Sequence, residues 1–324
     1  MSSEFNLIQQ YFSRPTPDVV LGVGDDCALL QPSANMQLAV STDSLVAGVH
    51  FFADADPDLL GWKSLAVNLS DLAAMGATPR WCTLAISLPE IDEDWLARYA
   101  DGLYRCADAH QIRLVGGDTT RGPLSLTLTV IGEVPVNQAL RRDGAQVGDV
   151  IWVSGTLGDA AFALAAMQGH LQLSEVDMTS LTHRLHAPVP RVSLGVALRG
   201  IAHSAIDVSD GLLADLGHIL QRSQVGALVQ YAALSTSEIV TDLVAHPAYD
   251  KCVLAGGDDY ELCFTAPVAQ TETILALAQQ LGVALTQIGE IVVGSELQLR
   301  DPDGHGMPLT AGSVLLAGYD HFAS

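Results

Sequence analysis

Two consecutive α+β (α/β) domains are what this sequence predicts, on three observations. Strand-like runs alternate with helical apolar patterns along the chain. The order strand, then Asp in a Gly/Ser loop, then helix recurs in both halves. Between the halves, VPVNQALRRDGAQVGD breaks the periodicity and marks the boundary, giving domains of residues 1–138 and 139–324. A chain of 324 residues is long enough for each half to build its own core.

Residues 19–23 and 36–42 read as strands, each running into an acidic loop, with Asp25 and Asp26 after the first and Asp43 after the second. Asp56 and Pro57 open a helix, because an aspartate caps unpaired N–H groups and proline's fixed φ suits the first turn. A helical apolar pattern follows until Gly76 stops it. CTLAISL reads as a strand, and a second helix runs from Asp94 to Ala109. IRLVGG and LSLTLTVIGEV are further strands, the latter with clear alternation. Past the boundary, DVIWVSG opens a second series, with helices near 157–169, 190–202 and 211–223. Two domains facing each other across an acidic cleft is the economical expectation.

The charge balance narrows the partners. Lys plus Arg total 15 against 37 Asp plus Glu, a net charge of −22, which disfavours nucleic acid and anionic membranes. Lys63 and Lys251 are the only lysines, so a polyphosphate ligand would have to be met by metal ions and a few arginines. At 49% hydrophobic residues the chain is not disordered, yet no uncharged apolar run is long enough to cross a bilayer. The start MSSEFNLIQQYF has neither a basic n-region nor an apolar h-region, so export is not expected. Cys27, Cys82, Cys106, Cys252 and Cys263 show no CxxC spacing and fit reduced thiols in a cytoplasm.

Six segments place acids among small residues at the ends of apolar runs: GVGDDCALL, AVSTDSL, VNLSDLAAMGA, VGGDTTRG, IDVSDGL and AGGDDYEL. Two carboxylates about 4 Å apart repel by on the order of 4 kcal/mol at an effective dielectric of about 20, so gathered acids require a cation. Oxygen donors without Cys or His point to a hard divalent ion, Mg²⁺ above all. Each segment also has a plainer explanation. Asp25 and Asp26 suit a turn tip, and Ser41, Thr42 and Asp43 suit a cap. Asp71, among Leu69, Leu72, Ala73, Ala74 and Met75, is paired or metal-bound if it is buried, and otherwise lies on an exposed face or acts as an intrahelical cap. Gly116, Gly117 and Asp118 suit a tight turn or a phosphate nest, and Asp207, Ser209 and Asp210 suit N-capping or ligation. Asp258, Asp259 and Glu261 close the set. The chain lacks GxxxxGK[ST], HRD, DFG, HExxH, GxSxG and GxGxxG. His183 and His186 read as a polar surface pair.

Together GVGDDCALL, STDSLVAGVHF, VNLSDLAAMGA, GGDTTRGPLSLT, AIDVSDGLLADLGH, GGDDYELCF and GYDHF resemble the thiamine-monophosphate kinase family, in order and nearly end to end. The resemblance implies the fold shared with aminoimidazole ribonucleotide synthetase, with an N-terminal sheet domain that forms a homodimer and a C-terminal α/β domain. It implies ATP-dependent conversion of thiamine monophosphate to thiamine diphosphate with several Mg²⁺ ions, K⁺ being a further candidate. It marks Asp26, Ser41, Thr42, Asp43, Asp71, Asp118, Asp207 and Asp210 as metal ligands, and Gly117, Asp118, Arg142 and Ser209 as ATP contacts. His50, Asp258 and Tyr319 are marked as substrate contacts, although the family usually carries Glu at the position of Asp258. Two relatives of the same fold fit less well: selenophosphate synthetase needs a reactive N-terminal Cys, and the hydrogenase maturation enzyme a terminal one. A purely ion-binding acidic module would not need the GGD loop or Arg142.

Overall fold

The computed structural model describes residues 4–301 and 303–307. The chain divides into two compact units, one holding the chain up to Leu72 with Ala77–Asn137, the other Ala73–Gly76 with the chain from Gln138 on. Among the described residues no helix is long and apolar enough to cross a membrane.

The first unit contains α1 (Glu4–Tyr11), β1 (Met36–Val46), α2 (Pro57–Ala74), β2 (Thr78–Leu88), α3 (Glu93–Ala109), β3 (Arg113–Arg121) and β4 (Ser125–Pro135). Its four strands lie in the order β1-β4-β2-β3. β4 runs antiparallel to β1 and β2, while β2 and β3 are parallel. Alternation in β4 puts Leu126, Leu128 and Val130 wholly inside and leaves Thr127 and Thr129 on the other face. Leu65, Leu69, Leu72 and Ala73 of α2 are equally buried, each leucine contributing about 1.5–3 kcal/mol by leaving water. Asp56 Oδ1 accepts the Asp58 N–H at 2.9 Å, so α2 begins where the sequence places it. α3 is capped by Asp92, which accepts from Asp94 and Trp95 N–H, two residues before the expected start.

Strand limits differ from expectation in several places. Residues 19–23 form only isolated bridges, Leu21 to Leu29 and Val23 to Asp25, because Gly22 and Gly24 interrupt a segment that no neighbouring strand pairs. Asp43 and Asp118, read as loop residues, lie inside β1 and β3. Pairing with β4 carries β1 on to Val46, and pairing with β2 carries β3 on to Arg121, overriding local turn signals.

The second unit contains β5 (Asp149–Ser154), α4 (Asp159–Met167), α5 (Glu175–His186), α6 (Val192–Ala197), β6 (Ser204–Val208), α7 (Leu212–Ser223) and β7 (Gly226–Gln230). It continues with α8 (Glu238–Asp242), α9 (Tyr249–Ala255), β8 (Glu261–Pro267), α10 (Thr271–Leu281), β9 (Leu285–Val292), β10 (Leu297–Arg300) and β11 (Gly306–Met307). Among the described residues its seven strands order as β11-β10-β7-β9-β5-β8-β6, and of these only β10 and β7 pair in parallel. Ile151, Val153, Phe162, Ile206, Leu212, Leu216 and Ile288 belong to one buried cluster. The helix expected near 190–202 is the shorter α6, and α1, α5, α8, α9 and α10 lie outside the helices that the sequence predicts.

Candidate active site

In the first unit the pleat of β1 sorts the candidates. Ser41 and Asp43 pair with Val130 and Leu128, both fully buried, so their side chains share the face lined by α2. Ser41 Oγ donates to Asp71 Oδ2 at 2.6 Å, and the Asp43 N–H donates to Asn68 Oδ1 at 3.0 Å. Buried Asn68 is itself fixed, its Nδ2 donating to Ser64 O at 3.0 Å. Ser41, Asp43 and Asp71 are thereby gathered, and Asp71 is half-buried on α2, not on an exposed face. Thr42 faces the opposite way, its hydroxyl 2.9 Å from Thr129 Oγ1, and can offer only main-chain oxygen to that group. His50, in the turn after β1, accepts the Val46 N–H on Nδ1 at 3.0 Å, which places the proton of its neutral ring on Nε2.

Asp25 and Asp26 occupy an exposed turn in which Asp25 Oδ1 accepts the Asp26 N–H at 2.8 Å. Asp118 is exposed on β3, opposite Ala85 of β2. β1 and β3 are the two edges of the sheet. At about 4.8 Å per strand Asp118 therefore stands roughly 14 Å from Asp43, farther than one ion spans. Gly117 has φ +153°, and a Cβ there would come within 1.8 Å of Leu84 O, so only glycine lets β3 lie this close to β2.

In the second unit Asp207 is buried near the end of β6, and Ser209, Asp210 and Gly211 form the bend into α7. Capping does not explain Ser209 and Asp210. Gly211 holds the N-cap position without a side-chain bond. Instead Asp215, in the first turn of α7, reaches back, and its Oδ2 accepts the N–H of Ser209, Asp210 and Gly211 at 3.0, 3.1 and 3.1 Å. Burial pushes Asp215 up to about 7, against the pull of those N–H groups and with the Asp210 charge adding to the rise. Arg142 is exposed, and its carbonyl accepts from Ser223 Oγ at 2.8 Å. Tyr319 lies outside the described residues.

The GGDDYEL acids separate sharply. Asp258 is half-buried at φ +68°, its N–H donating to Ser209 O at 2.9 Å and its Oδ1 accepting from Tyr260 Oη at 2.9 Å. Asp259 is buried, with Oδ2 accepting the Gly158 N–H at 2.9 Å and Oδ1 without a hydrogen bond. Glu261 is gripped by Arg191 through two bonds of 2.6 and 2.5 Å, by Arg184 at 2.8 Å and by Ser154 Oγ at 2.6 Å. Arg184 Nε also lies 3.6 Å from buried Asp159. Sequence reasoning missed Arg184, Arg191, Asp159, Asp215 and Tyr260. The scarcity of basic residues was a signal for the arginines, since each one in so acidic a chain has many acids to choose from.

The donor set of Ser41, Asp43 and Asp71, all hard oxygen, fits Mg²⁺. Among the described residues the three metal-capable side chains with ligand atoms within 4.8 Å of one another are Asp301, Asp303 and His305. There Asp301 Oδ1 already closes a turn by accepting the N–H of Asp303 and His305.

Residues 24–134 match the family model of the AIR synthase related protein, N-terminal domain, and residues 146–302 that of the AIR synthase related protein, C-terminal domain. Thiamine-monophosphate kinase of Salmonella typhimurium (strain LT2) is 48% identical over 325 residues, covering 99% of this chain and 98% of that one. The crystal structure of thiamine-monophosphate kinase from Stenotrophomonas maltophilia K279a is 52% identical, with a TM-score of 0.84 over 94% of this chain and 96% of that chain. AaThiL complexed with AMPPCP and TMP is 28% identical, with a TM-score of 0.78 over 90% of this chain and 89% of that chain.

Proposed function

The chain belongs to the family of thiamine-monophosphate kinases, and from that premise we propose that it transfers the γ-phosphoryl group of ATP to thiamine monophosphate. The products are thiamine diphosphate, made in the last step of its biosynthesis, and ADP. The observation that carries this reading is the near full-length match to thiamine-monophosphate kinases, in a chain whose β1 and α2 gather hydroxyl and carboxylate oxygens on one face.

A phosphate oxygen of thiamine monophosphate attacks the γ-phosphorus, and the bond to the β,γ-bridging oxygen breaks with its electron pair leaving on ADP. The acceptor is already anionic at neutral pH, so no general base is needed, and the transfer is read as direct and in line. What the chain must do is hold two anionic groups in line. Asp26, Ser41, Thr42, Asp43, Asp71, Asp118, Asp207 and Asp210 would hold Mg²⁺, with K⁺ a further ion. When bound, Mg²⁺ supplies the positive charge that offsets repulsion between the phosphates. Gly117, Asp118, Arg142 and Ser209 would contact ATP, and His50, Asp258 and Tyr319 the acceptor. The distance between Asp43 and Asp118 within one sheet favours more than one ion.

The homodimer belongs to the same proposal. Met36, Leu38 and Val40 of β1 are 38%, 47% and 61% exposed, on the sheet face that also carries Thr42, Ser44, Thr127 and Thr129. An apolar strip on an edge strand is covered in stable proteins, and a second copy of this sheet would cover it. Unpaired cysteines throughout fit a cytoplasmic enzyme.

Phosphate transfer from ATP to thiamine monophosphate, assayed with Mg²⁺ and then with EDTA on protein whose native mass has been measured, tests the whole reading. Thiamine diphosphate should form only with metal, from a particle of twice 34.1 kDa. Metal-independent product would remove the ion assignment, and a monomeric active enzyme would remove the dimer.

A further inference from the structure

Asp258 and Tyr260 both occupy the left-handed region, at φ +68° and +50°, on either side of buried Asp259. A side-chain-bearing residue there is strained, and a bulky aromatic at such a φ is an outlier. Outliers of this kind persist where their surroundings over-determine them, and they collect at ligand clamps. The surroundings here are specific. The Asp258 N–H donates to Ser209 O at 2.9 Å and the Tyr260 N–H to Val208 O at 2.8 Å. Between them Asp259 Oδ2 accepts the Gly158 N–H at 2.9 Å. Gly257 packs so closely that a Cβ would lie 2.4 Å from Ser209 O. Segment 257–260 is thus fastened to the bend after β6 and to the start of α4.

The strained turn converges two side chains that ordinary loop geometry would not bring together: Tyr260 Oη donates to Asp258 Oδ1 at 2.9 Å. A hydroxyl donor on one carboxylate oxygen fixes the plane of the group. We propose that Tyr260 is a positioning residue that orients the Asp258 carboxylate toward the thiamine moiety of the acceptor. This rests on the reading of Asp258 as a substrate contact. Charge decides which part of the acceptor is concerned. A carboxylate repels phosphate and attracts the cationic thiazolium ring and the amino group of the pyrimidine. Tyr260 therefore acts on recognition of the base, not on the transferred phosphoryl group or on ATP.

The test is a double-mutant cycle on the full-length enzyme, using Tyr260→Phe, Asp258→Ala and both together, with thiamine monophosphate and ATP varied separately. Tyr260→Phe keeps the ring and removes only the hydroxyl. It should raise KM for thiamine monophosphate about tenfold or more, the scale of one lost hydrogen bond to a charged group, with KM for ATP unchanged. Asp258→Ala should raise the same KM at least as much, and adding Tyr260→Phe to it should have no further effect. If Asp258→Ala leaves KM for thiamine monophosphate unchanged, the substrate-contact reading falls and the positioning role with it. If Asp258→Ala is impaired but Tyr260→Phe is not, the contact stands and the positioning role is overturned. Equal effects of Tyr260→Phe in both backgrounds would also overturn it, because Tyr260 would then not act through Asp258.

Discussion

Arginine–carboxylate forks occur in both units, and two of them, similar in bond length, differ in burial. In the second unit Arg191 grips Glu261 at 2.6 and 2.5 Å, with side chains 14% and 1% exposed. In the first, Arg105 on α3 grips Asp58 on α2 at 2.6 and 2.9 Å, with side chains 50% and 31% exposed. Distances alone would rank them together. In the exposed fork water competes for both ions, so the bond adds little beyond what solvation gives. In the buried fork neither ion can return to water without unfolding, so removing one partner strands the other. Glu261 shows the consequence in its acidity. Burial alone would raise it, but the hydrogen bonds and charge of Arg191, with Arg184 and Ser154 adding, hold it below the ordinary glutamate range.

The largest effect that breaks the comparison is Arg191→Ala. It leaves Glu261 charged inside a core that also holds Asp159 and Asp259, and should cost about 3–5 kcal/mol in urea unfolding. Arg191→Lys should recover only part, because an ammonium cannot make two parallel bonds. A loss under about 1 kcal/mol for Arg191→Ala would mean that Arg184 and Ser154 suffice for Glu261.

This network also marks the limit of what the chain discloses as a string. The cap at Asp56, the alternation of β4 and the acids beside small residues are local features, set by neighbours within a turn or a strand, and they were legible. The Glu261 network joins residues 70 to 107 positions apart, and no local periodicity encodes such a pairing. Asp118 reads as a loop residue because Gly116 and Gly117 look like a turn, whereas the parallel ladder with β2 holds them in a strand. Ser209 and Asp210 had the chemistry of caps, and only the fold reveals that Asp215 does that work. The division of Ser41 and Thr42 onto opposite faces follows from the pleat, yet it needed the extent of β1 to be known first.

Asp259 sharpens the comparison, since it shares the burial of Glu261 without a fork. Burial drives its pKa well above the ordinary value, the charges of Asp159 and Glu261 add to the rise, and the Gly158 N–H and Arg184 oppose it. The folded protein therefore keeps this proton to higher pH than the unfolded chain does. The stabilisation that results is complete below the unfolded value of 3.8 and is lost as pH rises toward the folded one. Asp259→Asn keeps the acceptor for Gly158 and cannot ionise. Urea midpoints measured from pH 5 to 8 should show the parent losing stability relative to this variant as pH rises, by a moderate amount spread over that range. Parallel curves would mean that Asp259 ionises as readily in the fold as out of it.

The smallest effect belongs to the exposed fork. Arg105→Ala removes two hydrogen bonds to Asp58 and a guanidinium 5.7 Å from the centre of the Trp62 ring. Double-mutant measurements on exposed pairs give about 0.2–1 kcal/mol, and an exposed cation over an aromatic ring adds about 0.5–1. The loss should therefore stay below about 2 kcal/mol. The electrostatic part should shrink between low salt and about 1 M NaCl, where the screening length falls to roughly 3 Å. Arg191→Ala should keep its cost over the same range, because ions do not enter the core around Glu261. Urea unfolding of both variants at the two salt concentrations separates the forks. A loss for Arg105→Ala that is large and indifferent to salt would show that the geometry of the fork, not its burial, sets its strength.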